Sequence, residues 1–131
     1  MSDRLKIERL LRELYDSRVR GDLDAVCGAF AHDAAFQIAG AGQVGPILNR
    51  SIGIDQFRPL LAVMVKSFKL SDLIILSLMI DGLRAAVHWR VRVYSKLTGA
   101  TVPTELVDLI EIRNAKVVSY TEFFVPYSPS V

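Results

Sequence analysis

Cysteine is almost missing from this chain: Cys27 is the only one in 131 residues. A lone thiol excludes an internal disulfide, and its place in an apolar helical pattern marks it as a core group suited to a reducing, cytoplasmic compartment. Histidine is nearly as scarce, with only His32 and His88. His32-Asp33 pairs an imidazole with a carboxylate but has no ligand-spaced partner, so no metal and no cofactor are expected, and the pair is assigned to a loop or helix end. An excess of one charge sign is also absent. With 16 basic and 14 acidic residues mixed along the chain, the net charge is +2, which excludes the electrostatic footprint of a dedicated nucleic-acid binder. No apolar run approaches the roughly 18 residues that span a bilayer, and MSDRLKIERL reads as a charged amphipathic helix rather than a signal peptide. Neither nucleic acid nor membrane is an expected partner. GAGQVG lacks the Lys-Ser/Thr pair of a phosphate loop.

What the chain does have is apolar content, 51% of residues, enough for the core of one domain over residues 1–131. Ser2 or Asp3 can cap a first helix whose apolar positions Leu5, Ile7, Leu10, Leu11, Leu14, Tyr15 and Val19 recur at three- and four-residue spacing. Its charged residues alternate in sign on the remaining face. Gly21 suits the end of that helix, and Asp22 can cap a short second one carrying Leu23, Val26, Cys27 and Phe30. Ala34 to Ile38 is a short strand candidate. Ala39 to Gly53 is a glycine-bearing loop, long for a small domain and placed where it could cover a pocket mouth. Helical spacing returns from Ile54 to Phe68, with Pro59 in the first turns. Strands follow: Lys69 to Ile80, a turn at Asp81-Gly82, then Leu83 to Tyr94, where Val87, Trp89, Val91 and Val93 alternate with His88, Arg90 and Arg92. That alternation turns Trp89 inward. After a Thr98-Gly99 turn, Thr101 to Pro126 reads as two long strands folded back at Asn114-Ala115. The class is α+β: three helices on one face of a curved, mostly antiparallel sheet, a cone whose open end suits an apolar cavity with a few polar groups.

The last hairpin carries the chemistry. A carboxylate inside such an apolar ribbon is costly unless paired or protonated, and Glu105, Asp108 and Glu122 compete for that position. A two-residue loop at Asn114-Ala115 pairs Arg113 with Lys116, which sets Val107 opposite Glu122 and turns Asp108 to the other side; a bulge or a longer turn restores a common face for Asp108 and Glu122. Both registers stay open at this point.

The runs Gly21-Asp22-Leu23-Asp24 and Ala29-Phe30-Ala31-His32-Asp33-Ala34, the loop ending Gly53-Ile54-Asp55-Gln56-Phe57, the Thr98-Gly99 turn and Ala115-Lys116-Val117-Val118 leading to Glu122-Phe123-Phe124 together resemble the SnoaL-like branch of the NTF2-like superfamily. That group includes polyketide cyclases, ketosteroid isomerases and limonene-epoxide hydrolases. The resemblance implies an NTF2-like cone, a small apolar ligand, and symmetric dimers that meet through the sheet, here by the face bearing His88, Arg90, Arg92 and Tyr94. Ketosteroid isomerases use an aspartate base with a tyrosine and a protonated aspartic acid as oxyanion hole. Here the tyrosine position holds Leu14 with Tyr15 beside it, the base position holds Ile38, and the third falls on Val107 or Asp108. In limonene-epoxide hydrolases a catalytic aspartate stands two residues before a phenylalanine, as Glu122 precedes Phe124; their arginine and second acid correspond only loosely to Arg90 and Arg92.

Two function classes follow. In the first, Glu122, with Asp108, moves a proton on an apolar carbonyl compound held by Tyr15, Trp89, Tyr120, Phe124 and Ile38, as a cyclase or isomerase would. In the second, the same cavity binds a ligand or partner without turnover. A purely structural Glu122 would bond Arg90 or Tyr15.

Overall fold

The computed structural model describes residues 3–39 and 50–125. Helix α1 (Asp3–Arg20) and helix α2 (Leu23–Gly28) form the expected hairpin, followed by β1 (Phe30–Ala39), β2 (Ser51–Ile52), α3 (Ile54–Ser67), β3 (Phe68–Asp81), β4 (Arg84–Ser95), β5 (Thr101–Arg113) and β6 (Lys116–Phe124). The strands form one sheet in the order β2-β1-β6-β5-β4-β3, antiparallel throughout except for the parallel pair β1–β6. The helices pack on its inner face.

Local chemistry explains how α1 ends. Gly21 takes φ 68, its N–H bonds Arg18 O at 3.1 Å, and Asp22 N–H bonds Ser17 O at 3.0 Å, the two closing bonds of a left-handed glycine cap. Asp22 then caps α2 by accepting from Ala25 N–H at 3.1 Å. This turn fixes the last turn of α1 against the sheet. Ile7, Leu11, Leu14 and Tyr15 are buried, while Leu5, expected on the same stripe, is 55% exposed.

Four local expectations need correction. Phe30 belongs to β1 and not to the second helix, because backbone pairing of Phe30 with Val117 and of Val117 N–H with Ala29 O (2.9 Å) draws the segment into the sheet. His32 and Asp33 therefore sit within a strand, at its irregular pairing between Phe30 and Ala35, and not in a loop or helix end. The β3–β4 turn is one residue further on: Asp81 pairs with Arg84, leaving Gly82-Leu83 as the loop, with Gly82 at φ 61 supplying the left-handed conformation that a tight hairpin needs. Part of the expected Ala39–Gly53 loop forms β2, paired to β1 through Ala35 and Phe36; its remainder over 40–49 lies outside the described residues.

Trp89 faces inward as expected, flanked by Val87 and Val91, and all three are buried. The aromatic core runs beneath it through Phe30, Phe36, Phe57 and Tyr120, with ring centroids of Phe36 and Tyr120 stacked 5.7 Å apart. Buried aromatics of this size contribute much of the apolar area that stabilises a small domain.

Candidate functional site

The register of β5 and β6 decides which acids meet. Arg113 pairs with Lys116 across Asn114-Ala115, as a two-residue loop requires, and Ile112 pairs with Val117; then Glu111 pairs with Ser119, so Val118 is an extra residue. That bulge changes the parity of β6. Val117 is buried before it, Tyr120 and Glu122 after it, while β5 keeps Leu106, Asp108, Ile110 and Ile112 inward. Asp108 consequently stands directly opposite Glu122, and both point into the core, 0% and 1% exposed. Of the two registers compatible with the sequence, the bulged one is adopted.

Each acid has its own set of partners. Tyr15 Oη–H donates to Asp108 Oδ2 at 2.5 Å, Trp89 Nε1–H donates to the same oxygen at 2.9 Å, and the Tyr120 hydroxyl donates to it as well. Asp108 Oδ1 has no hydrogen-bond partner among the described residues. Glu122 is held by Arg18, whose Nη1 donates to Oε2 at 2.6 Å and whose Nη2 approaches Oε1 at 3.4 Å. Arg18 Nη1 also donates to Tyr120 Oη at 2.9 Å, and its guanidinium carbon lies 4.9 Å from the Trp89 ring centroid, a cation–π contact. Tyr120 Oη is 3.5 Å from Glu122 Oε2, which makes its hydroxyl the bridge between the two carboxyl groups.

Burial pushes the Asp108 carboxyl well above the usual carboxylate range, and the Glu122 charge adds to it. Arg18 and the donated tyrosine hydrogen bonds oppose the shift without cancelling it. Burial likewise raises the Tyr15 and Tyr120 hydroxyls, helped by their neighbours' negative charge. Burial works against the Arg18 cation, yet Glu122 holds its pKa above the ordinary value. The arrangement therefore contains one ion pair, Arg18–Glu122, and one acid that favours its neutral form, Asp108.

A cavity of about 260 Å³ opens beside this network. Val26, Leu61, Met64, Val65, Phe68, Leu70, Val91, Val93, Leu106 and Phe124 form its apolar wall, Thr104 adds a hydroxyl, and Arg18, Trp89 and Glu122 stand at one end. Of the residues singled out in the sequence, Glu122, Trp89 and Phe124 line it. Tyr15, Tyr120 and Asp108 lie behind that lining as a buried support, and Ile38, paired with Glu122 across the parallel β1–β6 ladder, is buried outside it. Arg90 and Arg92 are exposed on the opposite face of β4, so neither is the partner of Glu122, and Tyr15 bonds Asp108 instead. The partner, Arg18, escaped the sequence reading. Its signal was the spacing Ile7, Leu11, Leu14 or Tyr15, Arg18, steps of three and four that place a cation on the buried stripe of α1. No group of three or more potential metal ligands clusters among the described residues.

A SnoaL-like domain model matches residues 11–120. The chain belongs to the SnoaL-like family. Solved structures show the same fold at low identity. A Bacillus subtilis protein provisionally named an isomerase is 17% identical over 96% of this chain and 91% of its own, with TM-score 0.86. A Xanthomonas campestris protein provisionally named a polyketide cyclase is 22% identical over 95% and 93%, with TM-score 0.77. An LEH-like epoxide hydrolase from M. tuberculosis is 15% identical over 92% and 84%, with TM-score 0.74. No curated protein matches the chain. These neighbours establish the architecture, and the domain match the family; the chemistry has to come from the site itself.

Proposed function

We propose that the cavity binds a compact, mostly apolar carbonyl compound and that Glu122 moves a proton on it, in the manner of an isomerase or cyclase. The observation that carries this reading is that Glu122 is the one carboxylate among the described residues lining a cavity whose wall is apolar except for Thr104 and Arg18. Its volume lies just under the roughly 300–1,000 Å³ of sites for drug-sized ligands, which suits a ligand of one or two rings better than a four-ring steroid. In this scheme the Glu122 carboxylate takes the proton on the carbon next to the carbonyl, the electron pair moves onto the carbonyl oxygen, and Arg18 stabilises the resulting enolate. Return of the proton at the same or another carbon completes exchange or isomerisation. Asp108 acts through Tyr120 and Arg18, holding both in place without touching the substrate.

The experiment needs no knowledge of the natural substrate. Small cyclic and aryl ketones incubated with the protein in deuterium oxide should gain deuterium beside the carbonyl, followed by proton NMR, and Glu122→Gln should abolish the gain. Ketones that bind, as judged by the emission of the single tryptophan Trp89, yet never exchange would exclude the enzymatic reading. That outcome would favour noncatalytic binding, a reading supported by Arg18 engaging both Glu122 oxygens and so competing with any incoming proton.

The outer sheet face suits a second copy of the chain. Leu109, Met79 and Ile74 are exposed there among the polar residues, and such faces close naturally as two-fold pairs. The buried free thiol of Cys27 suits the cytoplasmic location proposed with this function.

A further inference from the structure

The open end of the cone has a composition unlike the rest of the molecule. Leu97, at the tip of the β4–β5 connection, is 82% exposed; Val102 is 55% exposed, and Phe68, Tyr94 and Phe124 are each 39% exposed. Backbone pairing brings these groups together. Phe68 pairs with Ser95 and Lys69 with Tyr94, Val93 pairs with Val102, and Lys96 N–H bonds Ser67 O at 2.9 Å. Phe68 and Phe124 also line the cavity, which places the collar at its mouth, while Lys69 and Tyr94, paired with each other at the opposite parity, stand on the outer face at the same end of the sheet.

The two segments that carry most of the collar hold charge of one sign, with Asp72 and Glu105 just beyond their ends. Residues 63–71 and 93–104 include Lys66, Lys69 and Lys96 and not a single Asp or Glu, in a chain whose 16 basic residues are otherwise nearly balanced by 14 acidic ones. All three lysines are exposed, and none of their ammonium groups has an ion-pair partner among the described residues. Bulky apolar side chains left in water cost free energy, and a cluster of them ringed by unpaired cations marks an interaction surface.

We infer that this collar docks on a bilayer carrying anionic lipid, with Leu97 and Val102 entering the headgroup region and Lys66, Lys69 and Lys96 pairing with lipid phosphates and carboxylates. Surface attachment needs no spanning segment: modest apolar insertion combined with several cations suffices for reversible binding. This departs from the expectation of no membrane partner, which rested on the absence of a long apolar run. An acidic protein would satisfy the lysines but gives Leu97 no matching apolar layer, whereas a lipid surface satisfies both at once. Docked in this way, the cavity mouth faces the phase in which an apolar ligand concentrates. The inference is independent of whether Glu122 catalyses anything.

The test is co-sedimentation of the full chain with sucrose-loaded phosphatidylcholine vesicles, with and without phosphatidylserine, at low and high salt. Pelleting is expected with phosphatidylserine and low salt, falling about fivefold for each lysine changed to glutamine at positions 66, 69 and 96 and about tenfold for Leu97→Ser. Unchanged Trp89 emission would show that these exposed-site variants keep their fold. Absence of pelleting on either vesicle, equal pelleting on both, or indifference to all four substitutions would overturn the inference. So would a shift from dimer to monomer in Leu97→Ser, which would make the collar a contact between copies of the chain.

Discussion

Arg18 is the residue on which the buried polar cluster depends, because it neutralises Glu122, braces the Tyr120 hydroxyl and covers the Trp89 ring. Removing one partner of a buried ion pair leaves the other charge without compensation and costs about 3–5 kcal/mol. Arg18→Met should therefore destabilise the protein by an amount in that range in urea unfolding, and adding Glu122→Gln should recover most of the loss. Recovery of nothing would mean that Arg18 matters for its packing on Trp89 and not for its charge. Asp108 behaves differently because its partners do not overcome burial. An acid whose folded pKa lies above its unfolded value of about 3.9 contributes stability that is whole below that pH and is lost as pH climbs through the folded pKa. Asp108→Asn keeps the shape and the acceptor for Tyr15 and Trp89 but has no proton to lose. Wild type should therefore lose stability relative to Asp108→Asn as pH rises above about 4. Parallel stability curves for the two proteins across that range would show that the Asp108 pKa is not raised.

At the scale of elements, the β5–β6 hairpin brings the two acids together by two irregularities. Asn114 and Ala115 both lie in the left-handed region, at φ 52 and φ 60, the pair of conformations that closes a two-residue hairpin. Alanine is a poor occupant of the second position, since its Cβ meets the neighbouring carbonyl there at a cost of about 1–2 kcal/mol. Ala115→Gly should raise stability by about 1 kcal/mol after the greater freedom of glycine in the unfolded chain is allowed for, measurable by urea unfolding, and a neutral or destabilising result would contradict the turn geometry. The turn itself was legible in the sequence, as were the helices, the inward Trp89 and the cone. The bulge at Val118 was not. Val117-Val118 offers apolar side chains of both parities, and Tyr120 and Glu122 could share a face with either, so only the packed sheet selects the one that buries Tyr120 beneath Phe36. Arg18 was hidden for a related reason. A cation near the end of an amphipathic helix usually faces water, and its burial becomes visible only once Glu122 is known to lie across from it. The start of β1 at Phe30 depended on pairing with β6, a strand some 90 residues away in sequence, which local patterns do not encode.

The molecule as a whole uses the two faces of one sheet for separate tasks, and strand parity keeps them apart. Inward residues of β4, β5 and β6 build the cavity and its acids; the residues between them build an outer surface where Leu109 is 49% exposed and His88 Nε2 lies 3.0 Å from Glu105 Oε2. Leu109 pairs with Ala86 on one side and Thr121 on the other, placing it in the middle of the sheet with small neighbours, the position that a two-fold partner would cover first. If copies pair through this face, Leu109→Arg sets two cations against each other at the centre of the contact and buries both without a partner, a penalty of several kcal/mol that a modest interface does not survive. The expected outcome in sedimentation velocity at micromolar concentration is a dimer for the wild type and a monomer for Leu109→Arg. Trp89 emission and ketone binding should stay unchanged, because Leu109 points away from the cavity. A wild type that sediments as a monomer, or a Leu109→Arg variant that remains a dimer, would exclude the outer face as the contact. Loss of ketone binding together with loss of the dimer would show that the two faces are coupled through the sheet, contrary to the separation that the parity of its strands implies.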